Sequence, residues 1–389
     1  MRHPLSPALI LLLALSAHGL PAQDRILDDQ YDYGFTPLPD VDKDGFTDYV
    51  QWRPTSVTIY SGFSRMPIRT LANTGGSDWP TFCRCATGDL DGDGKPELLV
   101  TNPQEHPSGQ SGTRGSLRIY DPVTGKLLRE HWGPFPGMTL GDTILVVGDV
   151  DQDGCEDYLV GDTNSPGGSS GKGAAYLFSG KNGYQIRLHT RNDVARFGAR
   201  LFLLGDLDQD GVRDYVVTDG NKNYEIYSAK TGKSLLFSTG IQSGSNGCLA
   251  PIDDQDQDGV EDYAASEGRR TINLYSGKTR SLIKSLSYGL PTGYVTGLDV
   301  ISMDIDSDGH RDLLLVEPWD ESTVSAGYGR VRIISGKDWK EIAFVEGTAA
   351  QPIWATRIGA AGDANNDGRT DFWIGGGKKP GTSVYQGDL

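Results

Sequence analysis

One acidic phrase, Asp-x-Asp-x-Asp-Gly-x-x-Asp, recurs seven times along this chain, and two of its copies carry a single conservative change. Successive copies start 48 to 60 residues apart. A period of that length makes each copy the marker of one supersecondary unit that must stack on its neighbours to bury a core. It also lets the sequence be aligned with itself.

Position one of the phrase is Asp40, Asp89, Asp149, Asp206, Asp254, Asp304 and Asp363. Position three is Asp42, Asp91, Asp151, Asp208, Asp256, Asp306 and Asn365. Position five is Asp44, Asp93, Asp153, Asp210, Asp258, Asp308 and Asp367. Position nine is Asp48, Glu97, Asp157, Asp214, Asp262, Asp312 and Asp371. Position six is glycine in every copy, which permits a sharp reversal of the backbone. Carboxylates at one, three, five and nine, with a backbone carbonyl at seven, make an all-oxygen set that suits Ca²⁺ better than Mg²⁺. The carbonyls expected to contribute are those of Phe46, Lys95, Cys155, Val212, Val260, His310 and Arg369. Up to seven calcium ions are therefore expected, the last bound more weakly because Asn365 lacks a charge. An EF-hand would need a glutamate at position twelve and flanking helices. Position twelve here is Gln51, Val100, Val160, Val217, Ala265, Leu315 and Ile374, so that reading fails. Polar turns without metal are the bland alternative, but seven such clusters would repel strongly if empty.

The same grammar surrounds each phrase. Short apolar runs precede and follow it, such as Leu201-Phe202-Leu203-Leu204 and Leu313-Leu314-Leu315-Val316. Their length and their bounding glycines and aspartates predict buried strands. A third strand follows, such as Ile272-Asn273-Leu274-Tyr275, and ends in a turn of the Ser-Gly-Lys type before a fourth. Four strands in each of seven units predict an all-β, seven-bladed β-propeller of antiparallel blades. The last unit lacks its fourth strand. Arg25-Ile26-Leu27-Asp28, near the start, is a match for it. The N-terminal strand is expected to complete the last blade and close the ring, leaving no open edge.

Arg2, the apolar run Ala8 to Ala17 and Leu20-Pro21-Ala22 read as a secretory signal over residues 1–22, which leaves 23–389 as one propeller. The apolar run is too short to span a bilayer, so no transmembrane segment is expected. The formal charge is −16, yet 27 of the 52 acidic residues belong to the phrases. Seven divalent ions would bring the total close to neutral. With no basic stripe, nucleic acid is not an expected partner. Of the four cysteines, Cys83 and Cys85 are too far apart on one strand face for a relaxed bridge. Buried or partly buried thiols are the expectation for all four, Cys155 and Cys248 included.

The phrase, its Asp-aromatic-aliphatic continuation and the Val-x-Ile-Tyr-Ser-Gly-Lys strand resemble FG-GAP repeats, the units of the integrin alpha N-terminal propeller. Arg196-Phe197-Gly198 carries the first half of the family name. The resemblance implies calcium loops between the first and second strands of each blade and ligands on the opposite face. Nearly every unit here carries the phrase, unlike integrins, so the scaffold is implied and adhesion is not.

The opposite face should carry three long loops, over 102–115, 162–172 and 317–329, and the connections between blades. There the candidate ligand residues are Trp79, His106, Arg114, Trp132, Trp319, Tyr328 and Trp354, with Glu105 and His131 beside them. Aromatic and charged groups together suit a ligand surface, although propellers also use aromatics to pack blades. No nucleophile elbow or Cys/His zinc spacing stands out. The first expectation is a secreted, non-enzymatic, monomeric module binding a carbohydrate or an extracellular protein; the likeness extends to propeller lectins. A secreted polysaccharide lyase or hydrolase on the same scaffold is the alternative.

Overall fold

In the computed structural model the described residues are 11–13, 23–27, 34–53, 56–71, 84–164, 172–239, 248–267, 271–287, 299–317, 330–346, 357–363, 368–375 and 383–385. No helix among them is long and apolar enough to cross a membrane.

The described chain is all strand and turn. It forms seven antiparallel sheets, the blades of a seven-bladed propeller. In blade one the strands are Gly34–Leu38, Asp48–Arg53, Ser56–Tyr60 and Pro67–Leu71, innermost first. Five further blades repeat this up-and-down order, their innermost strands being Arg84–Gly88, Thr143–Gly148, Arg200–Leu203, Leu249–Ile252 and Val300–Met303. The seventh sheet runs Arg357–Gly362, Asp371–Gly375 and Ser383–Tyr385, and then takes Gln23–Leu27 as its next strand. Arg25 lies opposite Tyr385, Ile26 opposite Val384 and Leu27 opposite Ser383. Leu11–Leu13 adds a fifth strand beyond it, within the segment expected to be a signal.

Burial follows position in the blade. The second strands Glu97–Asn102, Asp157–Asp162 and Asp312–Glu317 are buried along their whole length, because a neighbouring blade covers each face. That is why they read as continuous apolar runs and not as alternating ones. Outermost strands such as Gln185–Thr190 have mixed exposure. Each hydrophobic cluster joins two blades. Leu159 and Leu177 of blade three meet Tyr215 and Val217 of blade four, and Leu314 and Val331 of blade six meet Ile358 and Phe372 of blade seven. Phe35 of blade one packs with Ala361 of blade seven. Each large apolar side chain buried there contributes about 1.5–3 kcal/mol.

Two histidines belong to this packing. His131 Nε2 lies 2.8 Å from the Tyr158 hydroxyl, and His189 Nε2 lies 2.8 Å from the Tyr215 hydroxyl, each pair linking one blade to the next. Burial pushes both imidazoles down to about 4, so they are neutral at pH 7. The residue after the phrase, expected to open a buried strand, is fully buried as Tyr158, Tyr215 and Tyr263, whereas Tyr49 in blade one is half-buried.

Candidate metal centres and the opposite face

Every described phrase lies between the first and second strands of its blade, so all sit at one end of the strands. The loop is tied by its own carboxylates. In blade one, Asp40 accepts from the N–H groups of Asp44 and Gly45 at 2.9 and 2.8 Å. The N–H of Phe46 donates to Asp44 Oδ1 at 2.9 Å. The bond from the position-six glycine to the position-one carboxylate recurs in every blade, as in Gly154 to Asp149 and Gly368 to Asp363, both at 2.9 Å. That glycine has a positive φ throughout, 94° at Gly45 and 91° at Gly154. Space is not the reason, since a Cβ there would meet nothing within 4 Å. Position four also takes a left-handed φ, near 60° at Gln152, Gln209, Gln257 and Ser307. The phrase as read from sequence did not include that requirement.

Position nine has a different role from the rest. Asp48, Asp157, Asp214, Asp262, Asp312 and Asp371 are fully buried, and Glu97 nearly so. Asp262 Oδ2 accepts from the Gln255 N–H at 2.6 Å, and Oδ1 from the Gly277 N–H at 2.8 Å. Gly277 belongs to the Ser-Gly-Lys turn of its blade, and Gly62, Gly180 and Gly336 repeat the contact. In blade four Ala229 donates instead, to Asp214 Oδ1 at 3.0 Å. In blade two Pro122 stands there and has no N–H to give, and position nine is the longer Glu97.

The turn is thus the second half of the site. Its serine reaches position five, as Ser61 Oγ does Asp44 at 2.7 Å. Its lysine reaches the position-five carbonyl, as Lys181, Lys230 and Lys278 do at Asp153, Asp210 and Asp258. Blade one has Phe63 in the lysine's place, ring centroid 5.2 Å from that of Phe46.

These ties bring carboxylate oxygens within 4.8 Å of one another. The groups include Asp40, Asp42, Asp44 and Asp48; Asp89, Asp91 and Glu97; and Asp149, Asp151 and Asp157. Asp206, Asp208 and Asp210 form another, and Asp254, Asp256 and Asp262 a further one. An all-oxygen, multiply anionic cluster of that size fits a hard divalent cation. Burial raises the position-nine carboxyls, Glu97 and Asp214 to about 7 and Asp157 and Asp312 to about 6. Desolvation without a compensating positive charge is the cause. Asp304, Asp306, Asp308 and Asp312 make the same loop, with Asp308 taking the His310 N–H at 2.9 Å. The His310 imidazole lies 3.3 Å from Asp253 of the preceding blade. Asn365 and Asp367 lie outside the described residues.

Successive loops also touch. The Glu156 N–H donates to the Asp89 carbonyl at 2.8 Å, and the Glu156 carboxylate takes the Asp89 N–H at 2.8 Å. Arg311 bridges to Glu261 at 2.8 Å. Residues at position eight therefore link one blade's loop to the next.

Of the residues expected on the opposite face, Trp79, Trp319, Tyr328 and Trp354 lie outside the described residues. His106 is exposed, its Nδ1 3.3 Å from the Pro107 carbonyl. Arg114 donates to the Pro134 carbonyl at 2.8 Å, which fastens the 102–115 loop to the connection leading into blade three. His131 and Trp132, expected in a connection, belong to the outermost strand of blade two, Leu127–Trp132. Trp132 Nε1 donates to Glu130 at 2.8 Å, and the Arg118 guanidinium lies 5.4 Å from its ring. Glu105, expected on the ligand face, is fully buried and takes two bonds from Arg118, at 2.7 and 3.0 Å. Glu317 and Arg332 form the equivalent pair in blade six at 2.8 Å. Buried charges need such partners, and here the partner is a strand away, beyond the reach of local sequence patterns.

Residues 86–117 match the FG-GAP repeat family. They run from within the inner strand of blade two through its acidic phrase, its second strand and the 102–115 loop into the start of its third strand. No curated protein matches the chain. Among solved structures, BBS1N in complex with ARL6DN, soaked with lead, is similar at a TM-score of 0.59 with 11% identity, over 93% of this chain and 95% of that one. The same complex soaked with mercury gives a TM-score of 0.58 with 12% identity, over 93% and 95%. At that identity the likeness is one of fold.

Proposed function

We propose that this FG-GAP-repeat propeller is an exported, calcium-stabilised, non-enzymatic binding module whose ligand, a carbohydrate or a protein, engages the face away from the acidic loops. The observation that carries the metal reading is the recurrence of one oxygen cage, pinned by a buried position-nine carboxylate, in blade after blade. Without a cation those carboxylates stand desolvated and close together, a cost a divalent ion removes. Calcium is favoured because the cage is flexible, rich in anions and all oxygen. The pairing of Gln23–Leu27 with Ser383–Tyr385 supports the further reading that the N-terminal strand fastens the ring.

A binding role is supported by the fold, which in BBS1N is seen in complex with ARL6DN. Both described histidines that are buried serve as blade-to-blade hydrogen-bonding groups, which removes them from acid–base work. The test is twofold. Elemental analysis of the purified protein should find several calcium ions per chain. Glycan and extracellular-protein arrays should then yield a ligand whose binding weakens in Trp132→Ala or Trp319→Ala. Turnover of a polysaccharide by the purified protein would overturn the binding reading.

A further inference from the structure

The innermost strands surround a cavity of about 290 Å³ at the end away from the acidic loops. Its position follows from the strands that line it. Arg84, Thr143 and Arg200 are the first residues of their inner strands, and Asp299 immediately precedes another. The phrases follow the far ends of the same strands.

Two arginines and one aspartate are its charged lining groups, in a chain whose formal charge is −16. Arg200 is held in place from behind. Its Nη1 lies 2.8 Å from Cys248 Sγ and 3.4 Å from Asp299 Oδ1. Asp299 Oδ2 in turn accepts the Ile358 N–H at 3.1 Å, which ties the carboxylate to blade seven. The aspartate therefore orients the guanidinium and is itself engaged. Trp52 also lines the cavity. It is only 4% exposed. Phe202 and Trp373 supply aromatic wall.

We propose that this cavity binds a small ring-bearing carboxylate, its anion against Arg200 and Arg84 and its ring against the aromatic wall. The volume fits one ring, near the lower limit of ordinary ligand pockets. A low-dielectric setting strengthens the guanidinium–carboxylate contact relative to water. This site rests on the reading that ligands engage the face away from the acidic loops, and it names the chemistry they would present.

The experiment uses the purified protein in calcium, with tryptophan fluorescence and calorimetry as readouts. Glucuronate and benzoate are the probes; glucose and benzyl alcohol are their neutral counterparts. The proposal expects at least one acid to bind and to outbind its neutral counterpart tenfold or more, and which acid does so separates a sugar acid from an aromatic one. Arg200→Gln should weaken binding by roughly tenfold or more, the scale of one charge-assisted hydrogen bond. Because Arg200 also meets Cys248 and Asp299, Arg84→Gln serves as a second variant at the other lining guanidinium; it should lose several-fold. Equal binding of acid and neutral probes would overturn the site, as would no response to any probe. A protein that melts higher in calcium yet binds neither acid would overturn this site and leave the scaffold reading standing.

Discussion

The backbone N–H of Gly277 donates to Asp262 Oδ1 at 2.8 Å, so the Ser-Gly-Lys turn of blade five is fastened to the buried end of its acidic loop. The approach leaves no room for a side chain. A Cβ on Gly277 would lie 1.8 Å from the Glu261 carbonyl oxygen. Gly277→Ala should therefore cost about 1–3 kcal/mol, the usual scale of overpacking. Thermal unfolding should show a melting temperature lower by a few degrees. Ala229→Gly, at the equivalent place in blade four, should change stability by about 1 kcal/mol or less. Equal effects at the two positions would show that the close approach is not what the glycine serves.

Acidity should distinguish the calcium-loaded protein from the chelated one. In the metal-free fold the position-nine carboxyls are raised, to about 7 for Glu97 and Asp214 and about 6 for Asp157 and Asp312. A carboxyl whose folded value exceeds its unfolded one stabilises the fold below the unfolded value, and that contribution is lost as pH rises through the folded value. Calcium needs the same groups deprotonated. The gap in melting temperature between the two forms should thus shrink as pH falls from 7.5 to 5. Burial between blades depresses His131 and His189 to about 4, and their loss of stability between pH 6.5 and 4 is expected alike with and without calcium, so it cancels in the difference. A constant gap would contradict a role for these carboxyls in metal binding.

Lysine in the turn places a positive charge beside the cage in blades three to five, as at Lys278, whereas blade one has Phe63. Lys278→Met should tighten calcium binding at its site by roughly threefold or more in low salt, and Phe63→Lys should weaken blade one's site to a similar degree. Calcium titration calorimetry reads both. The differences should narrow at high ionic strength.

Glu105 and Arg118 are both fully buried. Glu105→Ala leaves the arginine without its bidentate partner and should cost about 3–5 kcal/mol. Replacing both, as Glu105→Leu with Arg118→Met, should recover most of the loss, since Glu130 is about one-third exposed and can be solvated. Chemical denaturation of the single and double variants measures the difference.

Much of the scaffold was legible because it repeats. The period counted the blades. The missing fourth strand after Ser383–Tyr385 pointed to Arg25-Ile26-Leu27-Asp28, and of these Arg25, Ile26 and Leu27 do pair with it. The carboxylate cage was legible in part: positions one and three come together in blades one to five, and all four acidic positions do so in blade one, but blades two, three and five leave out position five and blade four leaves out position nine. What stayed hidden is backbone geometry and long-range contact. The left-handed φ at Gln152, Gln209 and Gln257 leaves no mark in residue type. The docking of Gly277 on Asp262 looked like an ordinary turn. Glu105 looked like a surface acid because its partner, Arg118, is 13 residues away on the next strand. His131 looked like a loop residue because the outermost strand runs on to Trp132.

The central claim is that the recurring acidic loops are calcium sites that hold the blades. Thermal unfolding of the purified protein in millimolar calcium and in excess EGTA tests it most directly. A ligand at a thousand times its dissociation constant stabilises the fold by about 4.1 kcal/mol per site, so several filled sites should lower the melting temperature by ten degrees or more on chelation. Superimposable melts in calcium and in EGTA would contradict the claim.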